Sequence, residues 1–463
     1  MAGLFQGLEI GRRALLSHQV TLQTIGHNIA NVDTPGYSRQ RVNMTSAWPE
    51  QTAQGSIGTG VTVSDVRSIK DLFLGKQYRE SQKALGNWTY KDKALQQIES
   101  LFNEPQESSL NDMLNEFWNS WSELSTNSDS SSNRNSVLAT ANQLVHSFQQ
   151  LANSINELRT STDNDLTSLT AEVNRLTTEI GQLNQHIKAA ELGGEQANDL
   201  RDQRDQLTDQ LANIIDVNVI DKDDGSTIVA MGSMILVDGS ATIDIDATAQ
   251  IKSGQVTHHM VWKGTEVRLT NQDGQLAGLI ETRDKIIPSY LSQLNELART
   301  VVEQVNAIHE TGYGLDGTTG VSFFDPNFTD ASNIRINEEI VNDINRIAAS
   351  QSTDGDNIIS LAIADLRNAE VTGNRSMTIN DFYTSLVGTL GVEAREANSF
   401  TSNYELLSNQ IDNQRQSVQG VSLDEEMANL VRSQHAYDAA ARVITAMDEA
   451  LDIVIRGMGI VGN

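Results

Sequence analysis

Cysteine is absent from all 463 positions. That excludes disulfide staples, thiolate catalysis and cysteine-held zinc or iron–sulfur centres, and it leaves the redox compartment open. Positive charge is scarce: 33 Lys and Arg stand against 61 Asp and Glu, a formal net charge of −28. A nucleic-acid binder needs a basic face to neutralise phosphates, so no nucleic-acid partner is expected. Long apolar runs are missing too. No uncharged apolar run approaches the ~18 residues that span a bilayer, so no membrane insertion is expected. Arg12-Arg13 followed by Ala14-Leu15-Leu16 superficially suggests a twin-arginine export signal. His18, Gln19, Gln23 and His27 break up the apolar region such a signal needs, Glu9 precedes the pair, and no small-residue cleavage site follows. The first residues are therefore expected to stay in the mature chain. Apolar residues make up 38%, and the 32 Gly bring this only to the lower edge of the ~45–50% usual for globular chains. Thin cores are expected, in about three units at ~150 residues each, in an elongated arrangement.

What is present begins with two apolar seams. Leu4, Leu8, Gly11, Leu15, His18, Leu22, Ile25 and Ile29 fall at alternating steps of four and three, which predicts a coiled-coil-type face on a helix of about 30 residues. The other end repeats the pattern at Leu423, Met427, Leu430, Gln434, Tyr437, Ala441, Ile444, Asp448, Leu451, Ile455 and Met458. Ser422 with Glu425 three residues later reads as a capping box that starts this helix, and Gly457, Gly459 and Gly462 let it fray. Helices of this length are two to three times the average of ~11–12 residues and suit bundles or assemblies.

The first seam runs into Ala30-Asn31-Val32-Asp33-Thr34-Pro35-Gly36-Tyr37-Ser38-Arg39-Gln40. Pro35 disfavours helical geometry at Thr34, and Gly36 is free to take positive φ, so the helix stops here. An apolar-heptad helix entering Asn31-x-x-Thr34-Pro35-Gly36-Tyr37 resembles the signature of bacterial flagellar axial proteins, the rod, hook and hook-associated subunits. The Tyr37-Ser38-Arg39-Gln40 continuation is similar to the hook-associated branch, at the first of its two hook–filament junction positions. Asn306-Ala307-Ile308-His309, Gly312-Tyr313, Leu315-Asp316-Gly317, Phe323-Phe324, the stretch Glu425 to Leu430, and Gln434-His435-Ala436-Tyr437 agree with that branch.

Between the ends, residues 61–214 read as long helices, with apolar residues at helical spacing over 87–102, 110–124, 137–158 and 166–187 and a Ser/Asn/Asp-rich loop over 125–135. Gly193-Gly194 then precedes a returning helix. From about 216 to 285 the period drops to two, with turns at Asp223-Asp224-Gly225 and Asp238-Gly239. Helix resumes near Leu276 with Pro288 as a kink, residues 311–375 mix turns and short strands, and helix returns over 379–415 with breaks at Gly388 and Gly391. The expected fold is mainly α with a β-rich insertion: an elongated, multidomain axial protein whose N- and C-terminal helices pack together as a coiled-coil-like core. Its parts are an axial helix and signature loop (1–60), a long-helix domain (61–215), a β-rich insertion (216–285), a returning helix (286–310), a mixed part of the projecting domain (311–375) and C-terminal helices (376–463).

Candidate chemistry does not hold up. Gly312-x-Gly314-x-x-Gly317 matches a dinucleotide fingerprint but follows a helix and opens onto Thr318-Thr319-Gly320, so a tight turn beneath Phe323 and Phe324 is expected. Asp221, Asp223, Asp224 and Gly225 lack the spacing and the terminal Glu of a calcium loop. Asp244 and Asp246 alternate with Ile243 and Ile245 as a solvent face would, and His258 and His259 cannot share one strand face. Glu425-Glu426 reads as first-turn charge complementing the helix dipole. No catalytic residue, metal or cofactor is expected, and the chain is not expected to be an enzyme.

The expected mechanism is packing. Leu4, Leu8, Leu15, Leu22, Ile25, Ile29, Leu423, Met427, Leu430, Tyr437, Ile444, Leu451 and Ile455 are the candidate subunit-packing seam, since burying such side chains is worth ~1.5–3 kcal/mol each. Asn31, Thr34, Pro35, Gly36 and Tyr37 form the signature loop. The resemblance implies a structural, homo-oligomeric subunit joining hook to filament. It also implies contact with hook protein and with the second junction protein or filament subunits. It further implies secretion through the flagellar type III channel without a cleaved signal, a cytosolic chaperone near the C-terminus, and an extracellular place in the flagellum. The rival expectations are a rod or hook subunit, or a secreted helical adhesin or type III translocator-like protein, which should lack the Asn31 to Tyr37 motif.

Overall fold

Aliphatic residues at 4-3 spacing do form helices at both ends. A computed structural model describes residues 2–52, 55–102, 109–252, 255–352, 355–372 and 376–459; the side chains of 2–4, 52, 252, 255 and 457–459 lie outside the described set. Helix α1 (Ala2–Ala30) ends at the signature loop. Then comes strand β1 (Gln40–Ser46), a small hairpin of β2 (Glu50–Thr52) and β3 (Gly55–Ile57), and β4 (Val61–Ser68), which pairs antiparallel with β1. This pair corrects the all-helical expectation for residues 61–214: Val61, Val63 and Val66 in so short a run give period two little weight, and pairing with β1 decides it.

The helical body opens with α2 (Leu72–Phe102), α3 (Leu110–Thr126), α4 (Ser131–Ala190) and α5 (Asn198–Ile214). Two seams expected as separate helices, over 137–158 and 166–187, are one 60-residue helix, ~90 Å long at 1.5 Å per residue. The polar stretch between them holds no Gly or Pro, and Thr160 and Thr162 turn their hydroxyls back onto the carbonyls of Asn156 and Leu158, at 3.0 and 2.9 Å. Ser109 and Ser130 cap α3 and α4 by accepting from Asp112 and Asn133 N–H.

The β-rich region holds a four-stranded antiparallel sheet, β5 (Val217–Asp221), β6 (Thr227–Met231), β7 (Met234–Asp238) and β8 (Ala241–Thr242), in that spatial order. A hairpin of β9 (Ile245–Lys252) and β10 (Gln255–Trp262) follows. Next come α6 (Gln275–Glu281), a π-helical turn over Thr282–Ile286, and α7 (Ile287–His309). The expected kink at Pro288 is thus a π turn just ahead of it, with Pro288 in the first turn of α7, where its missing N–H costs least. Residues 311–375 were expected to mix turns and short strands. Among the described residues they form turns, isolated bridges, two short α-helices, α8 (Glu338–Asn342) and α9 (Ile358–Asp365), and 3-10 turns over Ile344–Arg346 and Leu366–Asn368. The expected breaks at Gly388 and Gly391 do not occur: α10 (Ile379–Gln419) runs through both, held by Leu386 and Leu390 in the core. Helix α11 (Leu423–Gly459) closes the chain, with Gly462 outside the described residues.

Two cores result. The larger joins Phe117, Trp118 and Trp121 of α3, Phe148 of α4, Leu294 of α7 and Tyr383 of α10. Residues 311–375, expected in the projecting domain, contribute Phe323, Phe324, Ile334 and Ile347 to this same core. His309 fixes that contact: Nδ1–H donates to Val321 O at 2.7 Å and Nε2 accepts from Ala348 N–H at 2.8 Å, a neutral tautomer assigned by its partners. Burial lowers its pKa from the ordinary 6.5 to about 4. The second core sets Val173 and Ile180 of α4 and Leu211 of α5 against Val229, Val237 and Trp262 of the strands.

Candidate assembly interface

Helices α1 and α11 pack antiparallel, and small residues set their spacing. A Cβ on Gly11 would stand 2.8 Å from Ile444 Cγ1, and one on Gly7 would stand 2.8 Å from Met447 Cε. Farther along, Asn28 reaches Glu426. Gly11, which looks like a weak seam position in sequence, has no room for a side chain against Ile444 and the Ala440 carbonyl.

The contact stripe differs in register from the pattern of apolar residues. On α11 the side chains turned inward include Glu426, Leu430, Ser433, Tyr437, Ala440, Ile444, Met447, Leu451 and Val454, again at steps of four and three. Leu430, Tyr437, Ile444 and Leu451 are therefore half-buried in the pair, whereas Leu423, Met427 and Ile455 are exposed, as are Gln434 and Asp448. On α1, Ile25 is buried and Leu8, Leu15, Leu22 and Ile29 are half-buried, while Leu4 lies outside the described side chains. Helix α11 thus has two adjacent apolar flanks sharing one edge. One flank meets α1 and the other faces outward.

At the base of this pair the signature loop forms a polar clasp. Asn31 Nδ2 donates to His27 O at 3.0 Å and its Oδ1 accepts from Thr34 Oγ1 at 3.1 Å, so Pro35 lies on an exposed turn. Gly36 takes φ +79° against α5, where a Cβ would sit 3.3 Å from Gln206 Oε1. Tyr37 donates its hydroxyl to Asn28 Oδ1 at 2.7 Å. Asn28, 1% exposed, uses every group it has: Oδ1 also accepts from Gln40 N–H at 2.9 Å, and Nδ2 donates to Gln40 O at 2.9 Å and Glu426 Oε2 at 3.1 Å.

Glu426 is 2% exposed and pairs with Arg39 Nε at 2.7 Å, while Arg39 Nη1 holds Glu425 at 2.7 Å. First-turn dipole compensation therefore does not account for Glu426, which is the buried acid of the clasp. From the other side, Ser38 N–H donates to Asp202 Oδ2 at 2.7 Å, and Lys70 bridges Asp202 and Asp205 at 2.7 and 2.6 Å. Asp209 receives Arg415 at 2.6 Å and Arg79 at 3.4 Å. Burial raises the pKa values of Asp202 and Asp209, with Lys70 and Arg415 beside them pulling the other way. It also raises that of Tyr37, aided by Asp199, Asp202 and Glu426. The clasp ties α1, α2, α5, α10 and α11 together at one point.

Asn28, Arg39, Lys70, Asp202, Asp209, Arg415 and Glu426 carry no seam pattern, so sequence spacing passes over them. The one signal for Glu426 is an acid on the 4-3 stripe through Leu430 and Tyr437. The candidate metal groups do not assemble: among the described residues no three His, Cys, Asp or Glu gather as a metal site. Asp224 turns onto Ser226 and Lys188, Asp244 onto Lys263, and His258 onto Asp163. No helix among the described residues is long and apolar enough to cross a membrane.

Comparison with known proteins adds a second line. Residues 95–324 match the flagellar hook-associated protein FlgK helical domain, 8–37 the flagella basal body rod protein family, and 412–456 the flagellar basal body rod FlgEFG protein C-terminal family. The chain is 33% identical to flagellar hook-associated protein 1 of Bacillus subtilis (strain 168) across the whole of both chains. It is 26% identical to the protein of the same name from Salmonella typhimurium, covering 94% of this chain and 97% of that one. The flagellar hook junction protein FlgK from Burkholderia pseudomallei shares the fold at a TM-score of 0.65 and 16% identity, over 74% of this chain and all of that one.

Proposed function

The chain belongs to the flagellar hook-associated protein 1 family, and we infer from that membership that it is a structural subunit of the bacterial flagellum at the junction between hook and filament. The observation that carries the mechanism is the open flank of α11. Leu423, Met427 and Ile455 are exposed on a helix whose other flank already holds α1. Each such side chain gains ~1.5–3 kcal/mol when a neighbour covers it, so packing against further copies, and against hook and filament-side subunits, supplies what the isolated pair lacks. The candidate seam thus has two roles: Leu430, Tyr437, Ile444, Leu451 and Ile25 hold α1 to α11, and Leu423, Met427 and Ile455 meet the next subunit. The clasp around Asn31, Thr34, Pro35, Gly36 and Tyr37 fixes the direction in which the pair leaves the body.

The subunit acts by packing, without catalysis. It reaches the extracellular flagellum unfolded through the flagellar type III channel, accompanied in the cytosol by a chaperone bound near the C-terminus, where the same apolar flanks need cover. The body, built around residues 72–215 and 286–419, carries the β-rich insertion of 216–285. Complementation tests the reading. Cells lacking their own copy of this protein should grow filaments when given the full chain and only bare hooks when given residues 1–422. Normal filaments from the truncated chain would overturn it.

A further inference from the structure

An antiparallel sheet with one covered face ordinarily turns polar residues to the other. The β5–β8 sheet does not. Its inner rows set Val217 with Met231 and Val219 with Val229 and Val237, and Val217, Val229, Met231 and Val237 belong to the core that includes Val173, Leu176 and Ile180 of α4. On the outer face the register sets Asn218, Ala230 and Ile235 in one row and Ile220, Ile228 and Asp238 in the next. Ile220 is 51% and Ile235 42% exposed. Ile243, whose N–H bonds Leu236 O at 2.9 Å at the edge of the sheet, is 50% exposed. These β-branched side chains are stiff at χ1, and Ile220 and Ile235 stand on paired strands with Ile243 tied to the sheet edge, so the patch is rigid before anything meets it.

Charge decides what can meet it. Residues 71–419 hold 24 Lys and Arg against 50 Asp and Glu, whereas the 114 residues outside that span are nearly balanced at 9 against 11. Around the patch, residues 216–246 contain seven aspartates and one lysine, Lys222. Lysines 222, 188, 263 and 83 answer Asp238, Asp224, Asp244 and Asp216. Asp221 meets Arg204 only at 3.7 Å, and with Asp223, for which no ion pair is found among the described residues, it leaves the rim negative. A second copy would bring a like-signed body to the same face, and an anionic bilayer is repelled for the same reason.

We propose that the outer face of the β5–β8 sheet is a docking surface for a cationic, amphipathic protein segment, aliphatic at its centre and rich in Lys and Arg at its rim. This surface is independent of the axial assembly, which uses the terminal helices. The test is fluorescence anisotropy of the full chain with a labelled amphipathic helical peptide of leucine and lysine, beside a leucine–glutamate peptide of the same pattern. The basic peptide should bind and weaken as salt rises. It should lose about tenfold or more in affinity on the double variant Ile220→Ser, Ile235→Ser, with circular dichroism confirming that this variant folds. Leu423→Ser with Met427→Ser, on the other exposed apolar surface, should bind as the parent does. Absence of binding, equal binding by the Ile220→Ser, Ile235→Ser variant, or preference for the acidic peptide overturns the proposal. So does a chain dimer in sedimentation that disappears in that variant, since the occupant would then be a second copy.

Discussion

The body and the terminal pair bury their apolar residues to very different extents. In the body, Trp118, Trp121, Phe117, Phe148, Phe323 and Phe324 are fully covered by elements of the same chain. In the pair, Ile25 of α1 and Ala440 of α11 are the buried apolar side chains among those described, and most of the seam is half-exposed. Both regions are built from amphipathic helices, so local propensity does not separate them. The number of neighbours does: body helices are surrounded, while α1 and α11 have chiefly each other, β1 and β4, and a clasp at one end. A region left incomplete by its own chain depends on others for stability, which is what a subunit of an assembly requires.

The contrast can be broken most sharply by paired substitutions. Trp121→Ala should cost about 3–5 kcal/mol of global stability, because a fully buried indole leaves a cavity. Leu430→Asp should leave the melting of the body unchanged yet abolish filament growth in complemented cells. Filaments from Leu430→Asp, or a body destabilised as much by it as by Trp121→Ala, would erase the distinction.

The next test isolates the body by pH. His309 titrates near 6.5 when unfolded and at about 4 when buried, so between those values the unfolded chain binds more protons. The stability His309 contributes is therefore intact above pH 6.5 and is lost as pH falls toward 4, by roughly 3 kcal/mol. Denaturant melts followed by tryptophan fluorescence should show this slope, and His309→Gln should flatten it.

Asn28→Ala probes the clasp. It leaves Glu426 with Arg39 but without its second donor, removes the side-chain partners of the Gln40 backbone, and should cost about 2 kcal/mol locally. Hydrogen exchange should speed up at residues 37–40 and 423–430 while the amides of α3 stay protected. Uniform loss of protection would mean that the clasp and the body are one cooperative unit. The smallest effect is expected at Asp448→Ala. That side chain is exposed on α11, so motility and stability should match the parent within about 0.5 kcal/mol.

Legibility in the sequence follows the same divide. Both long terminal helices, the β-rich turns at Gly225 and Gly239 and the stop of α1 ahead of Pro35 are local, and period, capping and turn chemistry express them directly. The α11 contact stripe was only half legible. Counting apolar residues selects the offset through Leu423 and Met427, because the true stripe carries Glu426 and Ser433, which gain their place from Arg39, Asn28 and α1. The β1–β4 pair, the continuity of α4 and the seating of residues 311–375 in the large core also depend on partners remote in sequence.

The sequence by itself determined that this protein has long amphipathic helices at its two ends, a β-rich middle, no cysteine chemistry and a loop that stops α1 ahead of Pro35. Those properties arise from neighbouring residues within a turn or two, where backbone sterics and hydrophobic period act without knowledge of the fold. Only the tertiary structure decided which flank of α11 meets α1 and which is left open. It also decided that Asn28 and Glu426 close the clasp and that Ile220 and Ile235 face outward. Each of those outcomes depends on which surfaces the folded chain brings within contact distance, and a helix or strand with two apolar faces carries no local information about which one its own chain will cover.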